Sequence, residues 1–334
     1  PMFRLVCFTF MLFVSGGFPA LAFGEYAVGF VKMEALQKET NETISIAVVY
    51  PTMSPAKPVR FGPFSMELAI GGDVAKGRFP LAVISHGSGG SSLGHRSIAF
   101  ALVKQGFVVA MPLHPRNNYR DNSAEGIARN WINRPKHIAS TIDALLADAT
   151  LSSSIDNDRI SIIGHSAGGY TALAVAGGVA ETGHMVDLCN SHAQLKEPFC
   201  GLAKAGKIES VRIENVRDAR VKAVVLMAPV GVMFKSSDAL AHVEVPVLLM
   251  RAERDDVLTE PYHSDTIAMN LKSKERLTYR TIPNAGHHSF ITPLPESIRG
   301  ELGVIAEDPQ GFDRDVFHNT LGADIADYLL DVVR

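Results

Sequence analysis

Apolar residues along the chain fall into short continuous runs separated by longer, periodic stretches. Ile44–Tyr50, Leu81–Ser85, Phe107–Met111, Ile160–Ile163, Val221–Met227 and Val245–Met250 are runs of four to seven residues. Runs of this kind mark strands buried on both faces of a sheet. Pro51 and Pro112 are expected to end two of them, and Leu277–Ile282 reads as a last strand of the same type. Between the runs lie helical patterns. Ile98–Lys104 is the first. Asn133 and Pro135 are expected to open a second, with Ile138, Ile142, Leu145, Leu146 and Ala149 on one face. Ala167–Val179 is rich in small residues, and an amphipathic helix close to the C-terminus carries Val316, Phe317, Thr320, Leu321, Ile325, Tyr328, Leu329 and Val332. The stretch from Pro51 to Pro63 is Pro-rich and reads as loop. Residues 114–134 and 180–220 are long and irregular, and connections of that length often form functional lids or caps.

Strands that alternate with helices predict an α/β fold with a mostly parallel central sheet and helices on both faces. With no repeat, no low-complexity linker and no shift in composition, residues 23–334 read as one domain. The 334 residues are 46% hydrophobic and 20% charged, which excludes a disordered chain. The formal net charge of −3 carries no basic footprint for nucleic acid. No long apolar span follows the N-terminal region, so integral membrane association is not expected.

The N-terminal residues differ from the rest. Met2-Phe3-Arg4, an apolar run from Leu5 to Val14 and the ending Ala20-Leu21-Ala22 form the pattern of a secretory leader, 1–22, cut after Ala22. An N-terminal anchor helix is the alternative. Of the 3 Cys, Cys7 lies in the leader, which leaves Cys189 and Cys200 in the exported chain. One disulfide between them is expected, with two free buried thiols as the other reading. The leader and the Cys pair both point to a secreted or periplasmic location.

Candidate chemistry centres on Gly164-His165-Ser166-Ala167-Gly168-Gly169, which follows the strand Ile160–Ile163 and precedes a helix. This is G-x-S-x-G in the strand–turn–helix setting that exposes a nucleophilic hydroxyl. A serine nucleophile needs a base, and the base needs an orienting acid. In this chain order the acid and then the base follow after later strands. Asp255, in Glu253-Arg254-Asp255-Asp256, and His287, in Ala285-Gly286-His287-His288, occupy those places. Asp256 and His288 are the neighbouring alternatives. The turn His86-Gly87-Ser88-Gly89-Gly90 after the strand Leu81–Ser85 is a source for an oxyanion hole, with N–H donors at Ser88 and Ala167. A dinucleotide-binding loop competes for the same glycines, but Ser92 stands where its third glycine belongs. No metal-ligand motif accompanies the His residues, and no cofactor is called for. The apolar loop Ala228–Phe234 is read as part of an acyl pocket or as core.

These residues resemble the α/β-hydrolase superfamily. More narrowly, they look like bacterial dienelactone-hydrolase-like proteins related to plasma-type platelet-activating-factor acetylhydrolases. The similar segments are Val48-Val49-Tyr50-Pro51, Ser85-His86-Gly87-Ser88-Gly89, His114-Pro115-Arg116-Asn117-Asn118, Arg134-Pro135, Gly164–Gly169 and Ala285-Gly286-His287. The resemblance implies a Ser-Asp-His triad and an oxyanion N–H at Ser88. Dienelactone hydrolases use a Cys nucleophile where this chain has Ser166, so lactone hydrolysis is not implied. The expected activity is hydrolysis of a small-molecule ester with a short acyl chain. A lipase, polyesterase, phospholipid acetylhydrolase or peptidase of the same fold, and a non-catalytic binding protein, are the alternatives.

Overall fold

The computed structural model describes residues 26–333. The expected leader, 1–22, with Cys7, lies outside them. Among the described residues there are twelve strands: β1 Ala27–Gln37, β2 Glu42–Thr52, β3 Lys57–Phe61, β4 Phe64–Ile70, β5 Phe79–Ser85, β6 Val108–Leu113, β7 Ile155–His165, β8 Ala180–Glu181, β9 Arg212–Ile213, β10 Val221–Met227, β11 Val247–Ala252 and β12 Leu277–Ile282. The α-helices are α1 Arg96–Lys104, α2 Ala128–Ala147, α3 Ala167–Val175, α4 Gly183–Ser191, α5 Cys200–Lys204, α6 Ser264–Asn270, α7 Glu296–Leu302 and α8 Arg314–Val332.

Ten strands form one sheet in the order β12-β11-β10-β7-β5-β6-β2-β1-β4-β3. The six strands from β12 to β6 are parallel, and β2 and β1 continue the sheet antiparallel. Successive side chains of a strand point to opposite faces, so each buried run feeds two cores. Leu81 and Val83 of β5 join one core with Ile138, Ile142 and Leu145 of α2. Ala82 and Ile84 join the other with Leu102 of α1 and Leu321, Ile325 and Leu329 of α8. Helices thus cover both faces, as the alternating pattern predicts. No helix among the described residues is long and apolar enough to cross a membrane.

Several local expectations are corrected. β2 continues through Pro51 and β6 through Pro112. Pro51 lies beyond Val49, the last β2 residue paired with β6, and Pro112 beyond Ala110, the last β6 residue paired with β5. A missing N–H breaks no rung on those sides. Most of the stretch read as loop from Pro51 to Pro63 is strand. β3 and β4 form a hairpin, and Pro58 is tolerated because β3 is the edge strand. Strand β1 is not among those the apolar runs predict.

Helix α2 begins at Ala128, so Pro135 lies inside it rather than at its start. A proline there leaves the carbonyl four residues back without its N–H. That carbonyl, of Trp131, accepts the hydroxyl of Tyr170 at 2.8 Å, so α3 supplies the missing donor. α3 itself stops at Val175, where the N–H groups of Gly177 and Gly178 turn back to Ala174 and Leu173. β12 is an outer strand with three of its six residues exposed, not a buried one. The segment 180–220 contains α4, α5 and the small β8–β9 sheet. The Cys189–Cys200 disulfide joins α4 to α5, and both half-cystines are buried.

Candidate active site

Ser166 occupies the turn between β7 and α3 with φ +56° and ψ −119°. This backbone region is costly for any residue with a Cβ, by about 1–3 kcal/mol, and persists only where the surroundings enforce it. Here they do. The Ser166 N–H donates to Met227 O at 3.0 Å, and its carbonyl accepts from Gly169 N at 2.9 Å and Val230 N at 3.0 Å. Close approach explains the flanking glycines. A Cβ on Gly164 would lie 2.0 Å from Gly168 O, and one on Gly168 would lie 1.9 Å from Ser85 O. Of the residues from Ile160 to Ala176, Ser166 alone is not buried.

His287 follows β12 and Asp255 follows β11. The His287 Nδ1 and Asp255 Oδ2 are 2.9 Å apart. Asp255 Oδ1 accepts the N–H groups of Val257 at 3.0 Å and Leu258 at 2.7 Å, a local turn that aims the other oxygen at the imidazole. Burial alone would raise the Asp255 carboxyl. The charge and hydrogen bond of His287, with the two backbone N–H groups, outweigh burial and hold it below the usual carboxylate range. Asp256 is exposed. His288 also faces the cleft, and burial pushes its ring down to about 4. His165, the x before Ser166, holds the His287 loop to the elbow: its Nε2 is 2.9 Å from the His287 carbonyl.

Ser166, His287 and the turn His86–Gly90 share the floor of a cleft of about 700 Å³. Gly87 passes directly over the elbow, where a Cβ would stand 3.2 Å from Ser166 Cβ. The Ser88 hydroxyl accepts from Asn117 Nδ2 at 2.9 Å and donates to Glu125 at 3.0 Å. Ala167 is the first residue of α3, where backbone N–H groups have no partner within the helix. The structure therefore gathers Ser166, His287, Asp255, Ser88 and Ala167 at the C-terminal ends of parallel strands, the edge where open α/β sheets bind ligands.

The cleft walls differ from expectation. The loop Ala228–Phe234 lines none of it. Met233 and Phe234 are fully buried, and Phe234 stacks on Tyr170 with ring centres 5.8 Å apart. That loop is core, and through Val230 it supports the elbow from behind. Nothing from residues 180–220 lines the cleft either, while 114–134 contributes only Tyr119 and Arg120. One wall is instead Phe30 of β1 with Phe61 and Phe64 of the β3–β4 hairpin. The other is Ile291, Leu294, Ile298, Leu302 and Ile305, along and around α7. Spacings of three and four in that series are a helical signal that the sequence already contains. Arg96 ties the walls together: its guanidinium lies 4.1 Å from the Phe64 ring centre and donates to Pro293 O at 2.7 Å.

No family model and no curated protein sequence matches the chain. Similar solved structures exist. A ferulic acid esterase from Streptomyces cinnamoneus aligns with TM-score 0.63 at 18% identity, covering 95% of this chain and 92% of that one. A dienelactone hydrolase-like promiscuous phosphotriesterase from metagenomic libraries aligns with TM-score 0.57 at 12% identity, over 92% of this chain and 100% of that one. A dienelactone hydrolase from Anabaena variabilis aligns with TM-score 0.51 at 14% identity, with the same coverage of 92% and 100%. The chain has the α/β-hydrolase fold and, in that fold, resembles the dienelactone-hydrolase-like proteins.

Proposed function

We propose that the protein is a serine carboxylic-ester hydrolase. The observation that carries this reading is Ser166, held open on a strained turn in one cleft with a histidine whose other nitrogen is hydrogen-bonded to Asp255. Ser166 attacks the acyl carbonyl while His287 takes its proton. Asp255 fixes the imidazole tautomer and stabilises the imidazolium that forms. The Ser88 and Ala167 N–H groups receive the oxyanion, each worth about 3 kcal/mol in the transition state. His287 then protonates the departing alcohol, and water that it deprotonates releases the acid and restores Ser166.

The proposed substrates are small esters with a short acyl chain and an apolar alcohol part that fills the cleft between its two apolar walls. The ferulic acid esterase and the dienelactone hydrolase among the similar structures favour ester chemistry over amide chemistry. The proposed location is secreted or periplasmic, where a disulfide such as Cys189–Cys200 persists.

A p-nitrophenyl ester series tests the reading. Hydrolysis of C2–C4 esters should exceed that of C12–C16 esters, and a fluorophosphonate probe should label Ser166. Ser166→Ala should abolish both. A maximum at long chains would move the reading to a lipase, and labelling at Ser88 or Ser289 would displace Ser166.

A further inference from the structure

Arg134 is the largest fully buried side chain among the described residues, at 0% exposure. A buried guanidinium is costly unless paired, and its usual partner is a carboxylate. Arg134 instead has four uncharged acceptors. Its Nε donates to Thr171 Oγ1 at 2.9 Å and its Nη1 to Asn117 Oδ1 at 2.6 Å. Its Nη2 donates to Ser85 Oγ at 3.3 Å and to the His86 carbonyl. Burial pushes this arginine down to about 9.

The four acceptors lie on three different segments around the cleft floor. Ser85 and His86 belong to the end of β5 and the turn after it. Asn117 follows β6 and donates its own amide to Ser88 Oγ at 2.9 Å. Thr171 lies one turn into α3 and donates to Ala167 O at 2.8 Å. Each residue assigned an oxyanion N–H, Ser88 and Ala167, is therefore one hydrogen bond away from a partner of the same guanidinium.

From this geometry we infer that Arg134 is a positioning residue that sets the His86–Gly90 turn in register with the N-terminus of α3, so that the Ser88 and Ala167 N–H groups converge on one oxygen. The inference rests on the hydrolase reading above for its catalytic consequence, but not for its structural one. A planar fork with fixed donor angles suits three segments at once, whereas the point charge of a lysine does not.

The test uses Arg134→Met, Arg134→Lys and Thr171→Val in the full chain, with folding checked by circular dichroism. In Arg134→Met, kcat should fall about 100-fold while KM stays within about threefold, and the inhibition constant of a trifluoromethyl ketone should rise in parallel with the loss in kcat. The tetrahedral adduct of that inhibitor places its oxygen where the oxyanion forms, so a merely structural defect would not weaken it selectively. Arg134→Lys should recover part of kcat. Thr171→Val, which removes only the link to α3, should lose kcat about tenfold, and it keeps the test decisive if Arg134→Met does not fold. Amide hydrogen exchange across 85–91 should quicken in each variant relative to the wild type. Unchanged kcat and unchanged exchange would overturn the inference. A wild type that hydrolyses no ester would instead overturn the hydrolase reading, and the exchange measurement would then decide the positioning claim by itself.

Discussion

At the scale of single residues, the Asp255–Asp256 pair shows how a local turn chooses between neighbours. One oxygen of Asp255 is occupied by the N–H groups two and three residues ahead, which leaves the other pointed at His287. Asp256, the next residue, is exposed. With the roles proposed above, Asp255→Asn should lower kcat/KM about a thousandfold or more, because the amide would no longer hold the imidazole tautomer that takes the serine proton. Asp256→Asn should cost less than about tenfold. Steady-state kinetics on the folded variants distinguish the two, and the reverse order of losses would move the acid to Asp256.

At the scale of elements, the segment 180–220 and the cleft are separate. The disulfide closes α4 onto α5 with a sequence separation of 11, in a region that lines no part of the cleft. A loop of this size is stabilised by about 3 kcal/mol in the chain-entropy model. The double variant Cys189→Ser/Cys200→Ser should therefore melt several degrees lower than the oxidised protein with kcat/KM nearly unchanged. A large activity loss in folded double variant would show that this segment reaches the chemistry after all. Elements also set the limit of what the sequence discloses. Buried runs such as Leu81–Ser85 and Val221–Met227 are legible because continuous apolar sequence has few other uses. The elbow is legible because its glycines answer a steric demand made within a few residues. The hairpin β3–β4 is not, since Pro58 reads as loop until an edge position makes it acceptable. The start of α2 is hidden for a similar reason: only Tyr170, distant in sequence, satisfies the carbonyl that Pro135 leaves open. Which apolar segments wall the cleft is equally out of reach, because Phe64 and Ile298 come to line one cleft only in the folded chain.

At the scale of the whole molecule, several imidazoles among the described residues are buried or nearly so. Burial, the largest influence on each, pushes His86 and His95 down to about 3 and His137, His288 and His318 down to about 4. In the unfolded chain a histidine binds its proton near pH 6.5. Between that pH and the folded values the unfolded state holds more protons, so acidification favours unfolding by about 1.4 kcal/mol per pH unit for each such ring. The stability they leave intact at neutral pH is thus lost as pH falls below about 6.5, and the Asp255 carboxylate, held low, adds a loss of the same sign further down. Thermal melting followed across pH should show a steep decline from about pH 6.5 to pH 5, above the range where ordinary carboxylates titrate. A melting temperature constant over that interval would contradict the picture of neutral buried rings. The outer position of β12 has a consequence of a different kind. His287 is delivered by this strand, which has a single neighbour, β11, and shows half its residues to water. The nucleophile and the turn over it belong to the middle of the sheet, β7 and β5, whose contacts assemble earlier in any path that builds outward from the centre. On such a path, and with the roles proposed above, the elbow is in place before His287 reaches it: a molecule frayed at β12 would keep the elbow but could not turn over, and ester hydrolysis would report completion of the sheet rather than formation of its core.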